Sequence, residues 1–180
     1  FPVTHASAQK WFAHFLRTRL DNFGTYQDAI HTDNDFGFHS CLSSSINCGL
    51  IAPADIIAQI RSWKGRVKLN SYEGYIRQLF WREYQRYCYI YFDFSKKKNY
   101  FGNTRKLTKA WYEGTTGCDP VDDCIQRGFA QGYLNHIQRL MIMGNYMNLS
   151  GISPWEGLRW FIEFSCDSYE WVMYLSLIHI

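Results

Sequence analysis

From Ala8 to Phe23 the apolar residues Trp11, Phe12, Phe15, Leu16, Leu20 and Phe23 recur at three- and four-residue steps, and the same step returns along most of the 180-residue chain. That period belongs to a helix with one apolar face, whereas a half-buried strand alternates at every second residue. Strict alternation is scarce, so the expected fold class is all-α with little or no sheet. At 47% hydrophobic and 18% aromatic residues the chain has apolar material for one substantial core, which excludes disorder as its general state. No internal repeat, low-complexity tract or dividing linker is evident, so residues 1–180 are read as one domain.

Gly24 is placed to end the first helix. Phe38, Leu42, Ile46 and Leu50 then follow at four-residue steps, with Ser40, Ser43, Ser44, Ser45 and Asn47 between them. This predicts a helix over residues 36–50 with a polar, ligand-accessible face. After Pro53, tolerated in a first turn, Ile56, Ile57, Ile60 and Trp63 carry a helix to Gly65. A long aromatic helix is expected over 74–94, with Arg77, Arg82 and Arg86 beside its rings. The polar stretch 94–105, with Lys96-Lys97-Lys98, reads as a solvated loop. Further helices are expected over 107–112, 120–131, 133–149, 154–164 and from Asp167 onward.

Nineteen Lys and Arg against 16 Asp and Glu give a net charge of +3, too small to argue nucleic-acid binding from composition. The six cysteines form no Cys-x-x-Cys and have no paired histidine ligands, so neither a zinc nor an iron–sulfur site is specified and no metal is expected. They read as reduced, mostly buried thiols of an intracellular protein in a reducing compartment. No run approaches the ~18 apolar residues of a membrane span, so no membrane partner is expected. The opening Phe1, in place of Met, points to a start inside a longer protein, and the sequon at Asn148 is discounted without secretory evidence.

Two segments place costly side chains where chemistry would use them. Trp81 and Arg82 set a large ring beside a fixed cation, with Arg86 one turn on, as an extruded or single-stranded base requires. The competing reading makes Trp81 core and pairs Arg82 with Glu83 or another carboxylate. In 133–143, Asn135, His136, Gln138 and Arg139 interrupt an otherwise apolar helix, and each buried polar group costs about 1–3 kcal/mol unless it finds a partner. His136 is either a satisfied core histidine or a proton donor in a cleft. Arg139, if inside, needs a carboxylate, and Asp167 is the nominee. Trp160 and Tyr169 are oxidisable rings that composition alone makes core filling.

Five segments occur in the order seen in photolyases and cryptochromes: Phe23-Gly24-Thr25-Tyr26-Gln27-Asp28-Ala29, Phe38-His39-Ser40-Cys41-Leu42-Ser43-Ser44, Ile76-Arg77-Gln78-Leu79-Phe80-Trp81-Arg82-Glu83-Tyr84, Trp111-Tyr112-Glu113-Gly114-Thr115-Thr116-Gly117 and Asn135-His136-Ile137-Gln138-Arg139-Leu140-Met141. The chain resembles their helical FAD-binding domain, and more closely the photolyase-related branch that contains bacterial six-four photolyases. The resemblance reaches to about Met173 and implies FAD as cofactor. It implies that Tyr26, Ser40, Leu42 and Ser43 wrap the FAD diphosphate. Gln78, Trp81 and Arg82 would line the cavity between flavin and lesion, with Asn135 and His136 facing both. Arg139 would pair with Asp167 near the isoalloxazine, and Trp160 and Tyr169 would relay electrons to the flavin.

The sequence departs from that family at several points. Pro120 stands where bacterial members place a cluster cysteine, with Cys118 and Cys124 offset, so no cluster is expected. Asn135 stands where six-four enzymes of this branch carry a second histidine, and Ser44 replaces the proline usual after Leu-Ser. An N-terminal antenna domain and the closing C-terminal helices would lie outside the chain, so the domain is expected to be truncated at both ends. The function the resemblance implies is light-driven, FAD-dependent repair of pyrimidine lesions in UV-damaged DNA by a monomer. The alternatives are a blue-light photoreceptor without repair activity, or an inactive helical fragment.

Overall fold

The computed structural model describes residues 1–92 and 99–176. It is helical throughout, and among the described residues extended pairing is limited to two isolated bridges, His31 with Asn34 and Arg105 with Ile152. The chain divides into two compact units, Phe1–Glu83 and Tyr84–Ile180. The predicted lysine run Lys96-Lys97-Lys98 lies outside the described residues.

In the first unit, α1 (His5–Thr18) starts at a capping box in which Thr4 and Ser7 satisfy each other's main-chain amides. Its apolar stripe buries Ala8, Phe12, Phe15 and Leu16. The chain breaks at Arg19 and resumes as α2 (Leu20–Tyr26), so Gly24 does not end a helix as expected but lies inside one. Packing is the reason. A Cβ on Gly24 would stand 2.5 Å from the main chain of Asn70 and Ser71, and only glycine permits that approach. Ser71 secures the contact, accepting from Gly24 N at 2.9 Å and donating to Asp21 O at 2.8 Å.

The expected 36–50 helix is realised only as α3 (Ser43–Asn47). Trp11 Nε1 donates to Ser40 O at 2.8 Å, which takes that carbonyl out of any helical ladder, and Cys41 turns left-handed at φ 52°. The α4 helix (Pro53–Ile60) starts at Pro53 and tightens into a 3-10 turn over Arg61–Trp63. The α5 helix (Leu69–Tyr91) begins five residues before the expected start, and Tyr75 and Leu79 join Phe12, Phe15, Phe23, Leu42, Ile56 and Ile60 in one core. Tyr75 is its keystone ring, 4.8 Å from Phe15 and 5.4 Å from Phe23 between centroids.

The second unit packs α6 (Ala110–Glu113), α7 (Asp119–Gln131), a π-helical stretch (Gln138–Gly144) continuing into α8 (Asn145–Leu149), α9 (Pro154–Phe164) and α10 (Glu170–Ser176). Trp111, Ile125, Leu134, Met143, Trp160 and Phe161 share its core. The turn after α6 hangs on Asp122, whose carboxylate accepts from Thr116 N at 2.7 Å, Thr116 Oγ1 at 2.6 Å and Gly117 N at 3.1 Å. All six cysteines are free thiols, and burial pushes that of Cys124 up to about 12, so it behaves as a small apolar side chain. Among the described residues no helix is long and apolar enough to cross a membrane.

Two measurements test these supports. Gly24→Ala is expected to destabilise by about 1–3 kcal/mol in denaturant titration, through overpacking. Gly74→Ala, whose Cβ would meet only Phe23 at 3.8 Å, is expected to gain about 0.5–1 kcal/mol as a helix-interior glycine replaced. The hydrogen bonds from Thr116 chiefly hold the Asp122 carboxyl below its ordinary value of 3.8. Its stabilisation is therefore complete above that ordinary range and lost as pH falls through the lowered value. Acid titrations of Asp122→Asn should show a shallower loss of stability below pH 3.8 than the unaltered chain.

Candidate functional site

In the first unit the candidate residues surround α3. Tyr26, at the end of α2, stacks on Phe38 at 5.2 Å. Ser40 is held through its carbonyl by Trp11, and burial keeps the hydroxyl of Tyr75 protonated well above its usual range. The left-handed Cys41 then sends the Leu42 side chain into the core, which leaves Leu42 only its main chain to offer a ligand. Ser43 opens α3, and the Ser44 and Ser45 hydroxyls behind it are buried with no hydrogen-bond partner among the described residues. Leaving such a group unmatched costs about 1–3 kcal/mol. These are donors of the kind a phosphate oxygen accepts.

Gln78 and Trp81 lie three residues apart on α5, which places them on one helical face, and both are exposed. Trp81 is 54% exposed, so it is not a core residue of this chain. Arg82 is far less accessible, with 15% of its side chain exposed. Its Nη1 pairs with Glu83, the carboxylate its structural reading named, and its Nη2 donates to Asn47 Oδ1 at the end of α3.

The second unit gathers the other set. Asn135 Oδ1 accepts from Gln138 N at 2.9 Å while Gln138 Oε1 accepts from Asn135 N at 3.1 Å. This reciprocal box starts the helix at His136, three residues later than expected, and explains how two buried amides are tolerated. His136 itself is exposed. Arg139 is largely enclosed and pairs with Asp167, the carboxylate nominated for that case, the two side chains being 11% and 8% exposed. Arg139 Nε also donates to Leu134 O at 2.7 Å, Nη1 to Ser168 Oγ at 3.3 Å and Nη2 to Ser165 Oγ at 3.2 Å. Its guanidinium lies 5.5 Å from the Tyr133 ring centroid.

Trp160 is fully buried, donates Nε1 to Trp111 O at 2.9 Å, and packs 4.5 Å from Phe164 between ring centroids. Tyr169 sits at the start of α10, its carbonyl accepting from Val172 and Met173 at 3.0 Å each. The sequence reading placed Ser44, Ser45 and Asn47 on a polar face without assigning them a role. The serine run was the visible signal, whereas the Asn47 contact depends on a residue 35 positions away.

The structure is helical, with an enclosed arginine in each unit, and comparison with known proteins defines the family. Residues 75–174 match the FAD-binding domain of DNA photolyase, and the chain belongs to that family, whose cofactor is FAD. It is 39% identical over 180 residues to a (6-4) photolyase of Agrobacterium fabrum, covering 96% of this chain and 35% of the relative. The chain thus spans about a third of that relative's length. Its fold superposes on a bacterial class III photolyase from Agrobacterium tumefaciens with a TM-score of 0.80 at 18% identity, covering 97% of this chain and 37% of the other. The Synechocystis cryptochrome gives 0.81 at 19% identity, covering 100% and 40%. At those identities the two likenesses establish the fold.

The residues present fit FAD at its phosphate end. The Ser44 and Ser45 hydroxyls supply donors without protein acceptors, and Ser40 and Ser43 flank them. The Arg139–Asp167 pair generates a sharp stability prediction. Asp167→Ala leaves a buried guanidinium without its carboxylate and is expected to cost about 3–5 kcal/mol, read by denaturant titration. Asn135→His removes a helix cap and is expected to cost about 1 kcal/mol in the same measurement.

Proposed function

We propose that the chain forms part of a light-driven, FAD-dependent DNA photolyase-like enzyme that repairs UV-induced pyrimidine lesions. The observation that carries this reading is Trp81, a large ring left 54% exposed on a helix whose other face is core, with a nearly enclosed cation next to it. The 39% identity to a (6-4) photolyase across most of the chain supports it. When bound, reduced FAD supplies the light-driven electron that opens the lesion. Trp81 stacks on the extruded base, and Arg82 orients it. Exposed His136 stands ready to give a proton, while Asn135 holds the helix start that carries it. Arg139, clamped by Asp167, Ser165 and Ser168, keeps a fixed positive charge beside the isoalloxazine. Ser40, Ser43 and the main chain of Leu42 take the diphosphate, with Tyr26 and Gln78 closing the pocket's edges. Trp160 and Tyr169 are the electron relay. Damaged DNA is the partner, the protein acts as a monomer, and a reducing compartment suits its six free thiols.

A second reading, a cryptochrome-like photoreceptor, is favoured by Asn135, whose side chain caps a helix where six-four enzymes carry a histidine. Two measurements decide. The purified chain should show flavin absorption that bleaches under blue light with a reductant, and a colourless, folded protein would sink both readings. Trp81→Ala is expected to weaken binding to a lesion-bearing duplex by about 10- to 100-fold, the worth of one base-stacking contact. A flavin-loaded chain that binds damaged and undamaged duplexes equally would be a photoreceptor instead.

A further inference from the structure

We propose that Asn47 is a positioning residue for Arg82, fixing the direction in which that guanidinium meets the damaged strand; the inference rests on the repair reading above. Arg82 follows Trp81 directly on α5, about 100° further round the helix, so where its charge points depends on what holds the guanidinium. Glu83 and Asn47 both hold it. Glu83, its chain neighbour, is 45% exposed, and a solvated carboxylate is a weak tether. Asn47 is the firmer one, because it ends a helix anchored by the buried Leu42 and Ser45 and joins α3 to α5 across 35 residues of sequence.

The chemistry of the acceptor matters as much as its place. A guanidinium is always charged and presents its donors in a rigid fork, so holding one nitrogen directs the rest. An amide oxygen orients that fork without adding to the neutralisation that Glu83 already brings, whereas a second carboxylate in its place would further reduce the attraction for a phosphate backbone. Asn47 also stands at the far end of the helix that Ser43 opens. One short helix thus joins the residues suited to the flavin phosphates to the cation beside the lesion-stacking ring.

The test measures binding of the full chain to a synthetic duplex carrying one six-four photoproduct and to the same duplex undamaged. Asn47→Ala is expected to lower the preference for damaged DNA about tenfold, the size of one hydrogen bond to a charged group. Arg82→Ala should lower it at least as much, and the double variant no further. Asn47→Asp, which keeps the acceptor, should hold the preference within about threefold of the unaltered chain while binding both duplexes more weakly. It also keeps the question open to refutation if the alanine variant does not fold. Retained preference in Asn47→Ala, or preference lost in Asn47→Asp, overturns the positioning role and leaves the repair reading standing. Equal binding of both duplexes by the unaltered chain brings down the repair reading, and the inference with it. A denaturant-unfolding cycle on Asn47→Ala and Arg82→Ala separates these cases, since non-additive losses report the contact whatever the DNA does.

Discussion

A guanidinium cannot be discharged by shifting its pKa into the working range, so wherever it leaves water its surroundings must satisfy both its charge and its donors. In each unit the candidate residues are organised around that constraint. Arg139, 11% exposed, draws in Asp167, two serine hydroxyls and a main-chain carbonyl, and so ties the start of the π-helical stretch to the turn between α9 and α10. Arg82, 15% exposed, draws in Glu83 and Asn47 and ties α3 to α5. Each arginine is a fastener before it is anything else.

Around those fasteners the packing is ordinary, and that is what makes the exceptions informative. Phe12, Phe15, Phe23 and Tyr75 fill the first unit's core, and Trp160 with Phe161 the second's, as aromatic rings at helical spacing usually do. Trp81 stays exposed, as do Phe80, Tyr84 and Tyr87 on the same helix, and Ser44 and Ser45 bury hydroxyls that have no partner among the described residues. Apolar burial explains neither. The proposed reading accounts for both, the hydroxyls as donors to a phosphate and the ring as a platform for a planar base.

Much of the fold was legible because helical periodicity survives any amount of tertiary detail. The helix over 154–164 was read to the residue, that over 120–131 to within one, and Arg139 with Asp167 followed from the cost of an unpaired buried charge. The helix over 36–50 failed because Trp11, an element away, captures the Ser40 carbonyl, and because serine and asparagine compete with the helical ladder for hydrogen bonds. Gly24 lies inside a helix for a similar reason. Its role is to let two backbones touch, which no local signal expresses.

By itself the sequence determined the all-α class, the apolar faces, the need for a carboxylate opposite Arg139 and, through five ordered motifs, the family resemblance. These are properties of local spacing and of the price of burial, and both can be read along a chain. Only the tertiary structure decided that Trp81 stays exposed, that Asn135 and Gln138 cap a helix, and that Asn47 holds Arg82. Exposure, and contacts between residues distant in sequence, depend on how helices come to lie against one another, and a periodic pattern carries no record of that.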